Sequence, residues 1–220
     1  DGTTTRISEN HYHMTTTTAQ AANVLSHLEY YLQIVWPELN VNVVSTTEQW
    51  AGAAIAGPKS RDMLSKLYPD LDVSNDALPF MGYKEAEFFG VPSRIFRISF
   101  SGELAYEINV KSDHGMFMWE KMMEVGKEFG NQPYGTEALS TLRIEMGHVA
   151  GPELDGRTIP SDVSLNGLVS KKKDFIGKNS LGREAFNVES RQKIVGLIPI
   201  DRKSSIPEGS HIVQDQNAKL

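Results

Sequence analysis

The chain has 220 residues, 40% of them hydrophobic and 23% charged, the composition of an ordinary globular protein able to bury a sizeable core. Its formal net charge of −6 argues against a nucleic-acid scaffold, which needs clustered Lys and Arg, and the one basic run, Lys171-Lys172-Lys173 beside Asp174, is expected to be solvated surface. The absence of cysteine excludes disulfides, thiolate metal sites and a cysteine nucleophile. No stretch approaches the ~18 apolar residues of a membrane span, so neither a membrane nor a nucleic-acid partner is expected, and the expected location is cytoplasmic or organellar-matrix. The chain begins at Asp1 without Met, and its last residues, Ile212 to Leu220, stop in mid-pattern after a strand-like run, which leads to the expectation of a piece cut at both ends.

In chain order, Thr3–Ile7 and His11–Thr15 read as two short strands joined at Ser8-Glu9-Asn10. Ala21, Val24, Leu25, Leu28, Tyr31, Leu32 and Val35 recur at helical steps behind Thr18 as N-cap, and Pro37 stops that helix. Val41–Val44 and Ala53–Ala56 are expected strands. Pro58 suits the first position of a helix carrying Met63, Leu64 and Leu67. Tyr83–Phe89 and Arg94–Phe100 should form a hairpin about Gly90-Val91-Pro92-Ser93, with Ala105–Val110 as a further strand.

In that last strand Tyr106, Ile108 and Val110 share one face, and Ala105, Glu107 and Asn109 the other. Glu107 is then a carboxylate projecting from a sheet face, which pattern alone reads as an exposed one. Ser112 should cap a helix running to about Glu128 and ended by Gly130. That helix is rich in methionine (Met116, Met118, Met122, Met123), read mainly as core filling. Thr136–Gly147 should bury Leu139, Leu142 and Met146, with Arg143 bordering the stripe. Ser161–Leu181 lacks clear caps, and Lys193–Ile200 is expected as a strand opening a new β region.

Motif searching excludes more than it finds. There is no dinucleotide or P-loop glycine pattern and no Gly-x-Ser-x-Gly elbow. His11 and His13 could chelate a metal from one strand face, but no pattern offers a third ligand, so the pair reads as ordinary polar strand residues and no metal is assigned. Pattern alone reaches an α+β class: helices layered on a mainly antiparallel sheet.

Several segments go further. His11-Tyr12-His13-Met14-Thr15-Thr16-Thr17-Thr18, Trp36-Pro37-Glu38-Leu39, Ala56-Gly57-Pro58, the run from Phe96 to Val110 and Pro133-Tyr134-Gly135-Thr136-Glu137 appear in family order. Leu142-Arg143-Ile144-Glu145 and the run from Val169 to Lys178 complete the series. Together they resemble the folate-binding aminomethyltransferase family, shared by the glycine-cleavage T protein, dimethylglycine oxidase and heterotetrameric sarcosine oxidase. The four-threonine run and Ser170-Lys171-Lys172-Lys173-Asp174-Phe175 resemble the α-subunit branch of the last.

The resemblance implies an α+β fold of two sheet-and-helix units over residues 1–190, with a C-terminal β-barrel beginning at 191–220. It implies tetrahydrofolate as acceptor of a one-carbon unit, released as 5,10-methylenetetrahydrofolate. FAD, FMN and NAD would lie elsewhere in a larger enzyme, and the remainder of an α subunit and other subunits of a hetero-oligomer would be the partners. Glu107 matches the family glutamate that holds the pterin, whose adjacent N–H donors a carboxylate can accept side by side.

Thr15 matches a folate-contacting position. Asp1 matches one member of a carboxylate pair near the reacting nitrogens, where it could transfer a proton or stabilise an iminium-like cation. Leu139 stands where the T proteins carry a folate-contacting arginine, so that contact is not carried over; Arg143 is expected to be structural and paired with a carboxylate. A free-standing glycine-cleavage-type aminomethyltransferase and a non-catalytic folate-binding scaffold are the alternative readings.

Overall fold

The computed structural model describes residues 2–207 and 209–213. Packing divides the chain into two compact units, residues 1–146 and 147–220.

The first unit opens with strands β1 (Thr3–Ser8) and β2 (His11–Thr15), an antiparallel pair in the expected places. Gly2 secures the base of this hairpin. Its φ of +116° is one that L side chains rarely adopt, and a Cβ there would stand 1.9 Å from the Thr15 carbonyl oxygen. Helix α1 (Ala21–Tyr30) follows and runs on into a π-helical turn, Tyr31–Val35. Thr18 lies inside a 3-10 turn, Thr18–Gln20, rather than capping the helix with its side chain. The apolar stripe expected to be buried is not: neither segment has a buried residue, and Ile34 is 65% exposed. Val41–Val44 forms no strand, because no described neighbour offers it a ladder.

The core is built on one four-stranded antiparallel sheet ordered β3-β6-β5-β4, from β3 (Trp50–Ala56), β4 (Tyr83–Phe88), β5 (Val91–Phe96) and β6 (Ala105–Lys111). The structure is a mixed α/β one with two sheets, and the strand order changes only where β3 belongs. β3, expected in the first, pairs along its whole length with β6 of the second, from Trp50↔Lys111 to Ala56↔Ala105. The hairpin β4–β5 is also tighter than expected. It turns on Phe89-Gly90, both at positive φ (49° and 82°), as a two-residue turn matched to strand twist requires. Pro92 therefore falls inside β5. It costs no ladder bond to β6, because pairing with β6 begins only at Ser93.

Helices α2 (Ser60–Leu67) and α3 (Gly115–Gly126) cover one face of this sheet. Met63, Leu64 and Leu67 from α2, with Met118 and Met122 from α3, join Ile55, Phe88, Ile95, Tyr106, Ile108 and Val110 in a single apolar cluster. Met118 and Met122 are thus core fillers as expected, while Met116 is exposed. Ser112 opens a 3-10 turn ahead of α3 without a side-chain capping bond, and Gly130, in the left-handed conformation, closes the segment.

In α4 (Thr136–Met146) the buried residue is Arg143, not the apolar stripe; Leu139 and Leu142 are half-buried and Met146 is exposed. Arg143 is engaged by a neighbouring group, so no free cation is buried there.

The described part of residues 147–220 consists of turns, 3-10 segments and the short helix α5 (Lys178–Leu181). Its centre is Asp162, which accepts from Arg191 at both carboxylate oxygens and from the Ile159 amide at 3.1 Å, with Lys193 at 3.6 Å. Hydrogen bonds from Arg191 push the Asp162 carboxyl well below the ordinary aspartate range. Lys193–Ile200 forms no strand, and Ile198 is 81% exposed. Among the described residues no helix is long and apolar enough to cross a membrane.

Ile108 is fully buried at the middle of β6, so Ile108→Ala removes side-chain volume where the surrounding sheet can relax least. A loss of about 2–5 kcal/mol in unfolding free energy is expected by urea titration; a change below ~1 kcal/mol would mean the cluster is not the core. Gly2→Ala is expected to lower stability by a smaller amount, through strain at the hairpin base.

Candidate functional site

The strand alternation that sends Tyr106, Ile108 and Val110 into the core sends Glu107 and Asn109 to the opposite face. Glu107 sits between Ala54 of β3 and Phe96 of β5, and Asn109 between Gly52 and Arg94. The β3 side is low and open, because Gly52 and Ala54 carry little or no side chain and are exposed. The β5 side is walled: Phe96 is 3% exposed, covered by His13 of β2 (centroids 5.9 Å apart, planes at 26°) and flanked by Tyr83 of β4 at 5.1 Å.

Glu107 is half-buried in this trough, and among the described residues nothing donates to its carboxylate. Burial accordingly pushes its pKa up from the ordinary glutamate value. A desolvated carboxylate with unused acceptor capacity is suited to a ligand that brings paired N–H donors. Charge nearby is arranged so as not to quench it. The Arg94 guanidinium lies 4.2 Å over the Trp50 ring and 3.4 Å from Glu85, and Lys111 lies 4.4 Å over the same indole.

Of the residues expected at the site, Glu107 is where alternation places it, though half-buried rather than on an exposed face. Thr15 stands at the end of β2 on the same face as His13, half-buried, where its hydroxyl meets that of Thr3 at 3.0 Å and accepts from the Thr3 amide at 3.3 Å. Among the described residues no hydrogen bond joins Thr15 to Glu107; His13, on the strand of Thr15, stacks on Phe96, the cross-strand neighbour of Glu107. Asp1 lies outside the described residues. Leu139 is half-buried on α4.

Sequence reasoning missed the wall: Phe96, Tyr83, Arg94 and His13. The signal was present once the hairpin is closed at Phe89-Gly90, since Arg94 and Phe96 then share Glu107's face. Misplacing that turn by a few residues concealed it.

His13, weighed as a metal ligand, is held instead by Phe96 and by Arg94, whose Nη1 lies 3.4 Å from its Nδ1. Among the described residues no three His, Asp or Glu side chains converge on a common point.

Two hollows lie on the described surface. A cleft of about 290 Å³ lined by Thr3, Thr5, Arg6, Tyr83, Phe96 and Ile98 adjoins the wall, although neither Thr15 nor Glu107 lines it. A hollow of about 550 Å³ within residues 147–220 is lined by Asp155, Arg157, Asp162 and Arg191, charges already paired with one another.

Because the Glu107 carboxyl titrates higher in the folded than in the unfolded chain, its ionisation costs stability. The full stability is present below the ordinary glutamate value and is lost as pH rises through the folded value. Glu107→Gln is therefore expected to be more stable than the native protein at pH 7 and indistinguishable from it near pH ~4, by urea unfolding at both pH values. Lower stability of the variant at pH 7 would mean that the carboxylate has a native partner.

The GCVT N-terminal domain matches residues 1–173. The chain is 48% identical over 216 residues, 97% of its own length, to the sarcosine oxidase subunit alpha of Rhizobium meliloti (strain 1021), and 46% identical over 217 residues, 98% of its length, to that of Corynebacterium sp. (strain P-1). It covers only 22% of each of those relatives. It is also 30% identical over 212 residues to the aminomethyltransferase of Chloroherpeton thalassium, covering 96% of this chain and 56% of that protein. These relatives are enzymes, and the chain belongs to the GCVT N-terminal domain family.

Proposed function

We propose that the chain is the tetrahydrofolate-binding region of a sarcosine-oxidase-type enzyme, in which the one-carbon unit from oxidative demethylation of an N-methyl amine is captured as 5,10-methylenetetrahydrofolate. The observation that carries this reading is Glu107, a half-buried carboxylate without a partner among the described residues, set beside the aromatic group of His13, Tyr83 and Phe96. The N–H edge of a reduced pterin supplies the two donors that such a carboxylate lacks, and the aromatic wall suits its planar ring. In the capture step the imine carbon forms bonds to two folate nitrogens as its bond to the amine nitrogen breaks. The two N–H hydrogens of the folate end on the departing amine, so no oxidant is consumed in this step.

On this reading Glu107 anchors the pterin, Thr15 contributes a hydroxyl from the end of β2, and Asp1 serves proton transfer near the reacting nitrogens. FAD, FMN and NAD belong to other parts of the larger enzyme, together with the rest of its α subunit and its further subunits, in the cytoplasm. The names of the relatives and the higher identity to the sarcosine oxidase subunits, 48% and 46% against 30%, favour this reading over a free-standing aminomethyltransferase. Residues 1–190 make up the folate-binding region, and residues 191–220 begin a following β-barrel domain. The exposed apolar residues Val195, Leu197, Ile198 and Ile200, which have no ladder of their own, support that assignment.

Calorimetric titration of the protein with tetrahydrofolate tests the proposal. Binding is expected, with Glu107→Ala losing about 1.5–3 kcal/mol, the scale of hydrogen bonds to a charged group. No binding by the native protein, or equal binding by the variant, would overturn it.

A further inference from the structure

His13 is the residue of the wall that carries most unexplained chemistry. Its ring lies against Phe96, the cross-strand neighbour of Glu107. Its Nδ1 faces Arg94 Nη1 at 3.4 Å, and a guanidinium can only donate, so Nδ1 accepts. The proton of the neutral ring must then reside on Nε2, which has no partner among the described residues.

The groups around the imidazole agree with a neutral ring. Burial, then Arg94 of β5, then His11 of β2 hold its pKa below the ordinary histidine value. Glu85 of β4, at 3.4 Å from Arg94, and the Trp50 ring of β3 hold the guanidinium in place, so the arrangement does not depend on His13 alone. This network has the form of a support that orients one ligand-binding atom.

Resting on the folate reading above, we infer that Arg94 fixes His13 as a neutral Nε2–H donor, which binds the ring carbonyl of the ligand while Glu107 binds the adjoining N–H edge. The chemistry explains why a neutral donor is placed here. A cyclic amide that donates to a carboxylate carries its carbonyl on the next ring atom, and that acceptor also needs a partner when it leaves water. An imidazolium would instead carry a proton on Nδ1 and turn it against the Arg94 donor. His13 is thus a binding residue, and Arg94 is a positioning residue that acts through it.

Nitrogen-15 spectra of the histidine side chains at pH 7.5, combined with tetrahydrofolate calorimetry, test this directly. The native protein should show His13 as the Nε2–H tautomer, and Arg94→Met should return it to a mixture and weaken binding about tenfold, the cost of one misplaced hydrogen bond. His13→Phe, which keeps the stack, should lose about tenfold as well, whereas His13→Gln, with an amide N–H near the Nε2 position, should recover part of that loss. An Nδ1–H tautomer in the native protein would overturn the inference. So would full-strength binding by His13→Phe where Glu107→Ala is weak, an outcome that leaves the folate reading standing. If the native protein binds no folate, the folate reading and the ligand role of His13 fall together, while the spectra still decide whether Arg94 sets the tautomer.

Discussion

The pairing of β6 between β3 and β5 is the constraint on which the rest of the first unit depends. With neighbours on both sides the strand cannot slip by one residue without turning Tyr106, Ile108 and Val110, all fully buried, out of the core. The same registration holds Glu107 on the opposite face. A carboxylate that is half desolvated and lacks a partner among the described residues is locally unfavourable, and it persists because the apolar side of the same strand is strongly held. Core and site are two faces of one seven-residue segment.

How much of this could be read from the sequence follows from the range of the forces involved. The β1–β2 hairpin, the faces of β6 and the apolar positions of α2 were legible because they are local periodicities. The sheet order was not, since β3 and β6 are separated by about fifty residues and nothing in either strand names its partner. The β4–β5 turn was misplaced because Pro92-Ser93 looks like turn chemistry, whereas the conformation is set by Phe89-Gly90. A bulky aromatic at positive φ is an uncommon choice, tolerated here as Phe89 packs edge-on against Phe88 and Phe117.

The same limit explains the site. Glu107 and Thr15 were found through alternation and family resemblance, and both signals lie within single segments. The wall of Phe96, His13 and Arg94 is assembled from β2 and β5, some eighty residues apart, by stacking and a single hydrogen bond. Helix α1 and the apolar stripe of α4 fail in the opposite way. Their periodicity was read correctly as a stripe, but a stripe states which residues could be buried, not whether a surface lies against them.

Trp50 gives the first unit an optical consequence. Its indole is shared by two cations, Arg94 and Lys111, so its excited state reports on the local field they create. Trp36 and Trp119, at 39% and 45% exposed, emit from wetter surroundings. A displacement of Arg94 by as little as an ångström would alter Trp50 fluorescence selectively, making the protein its own spectroscopic gauge of the trough beside Glu107.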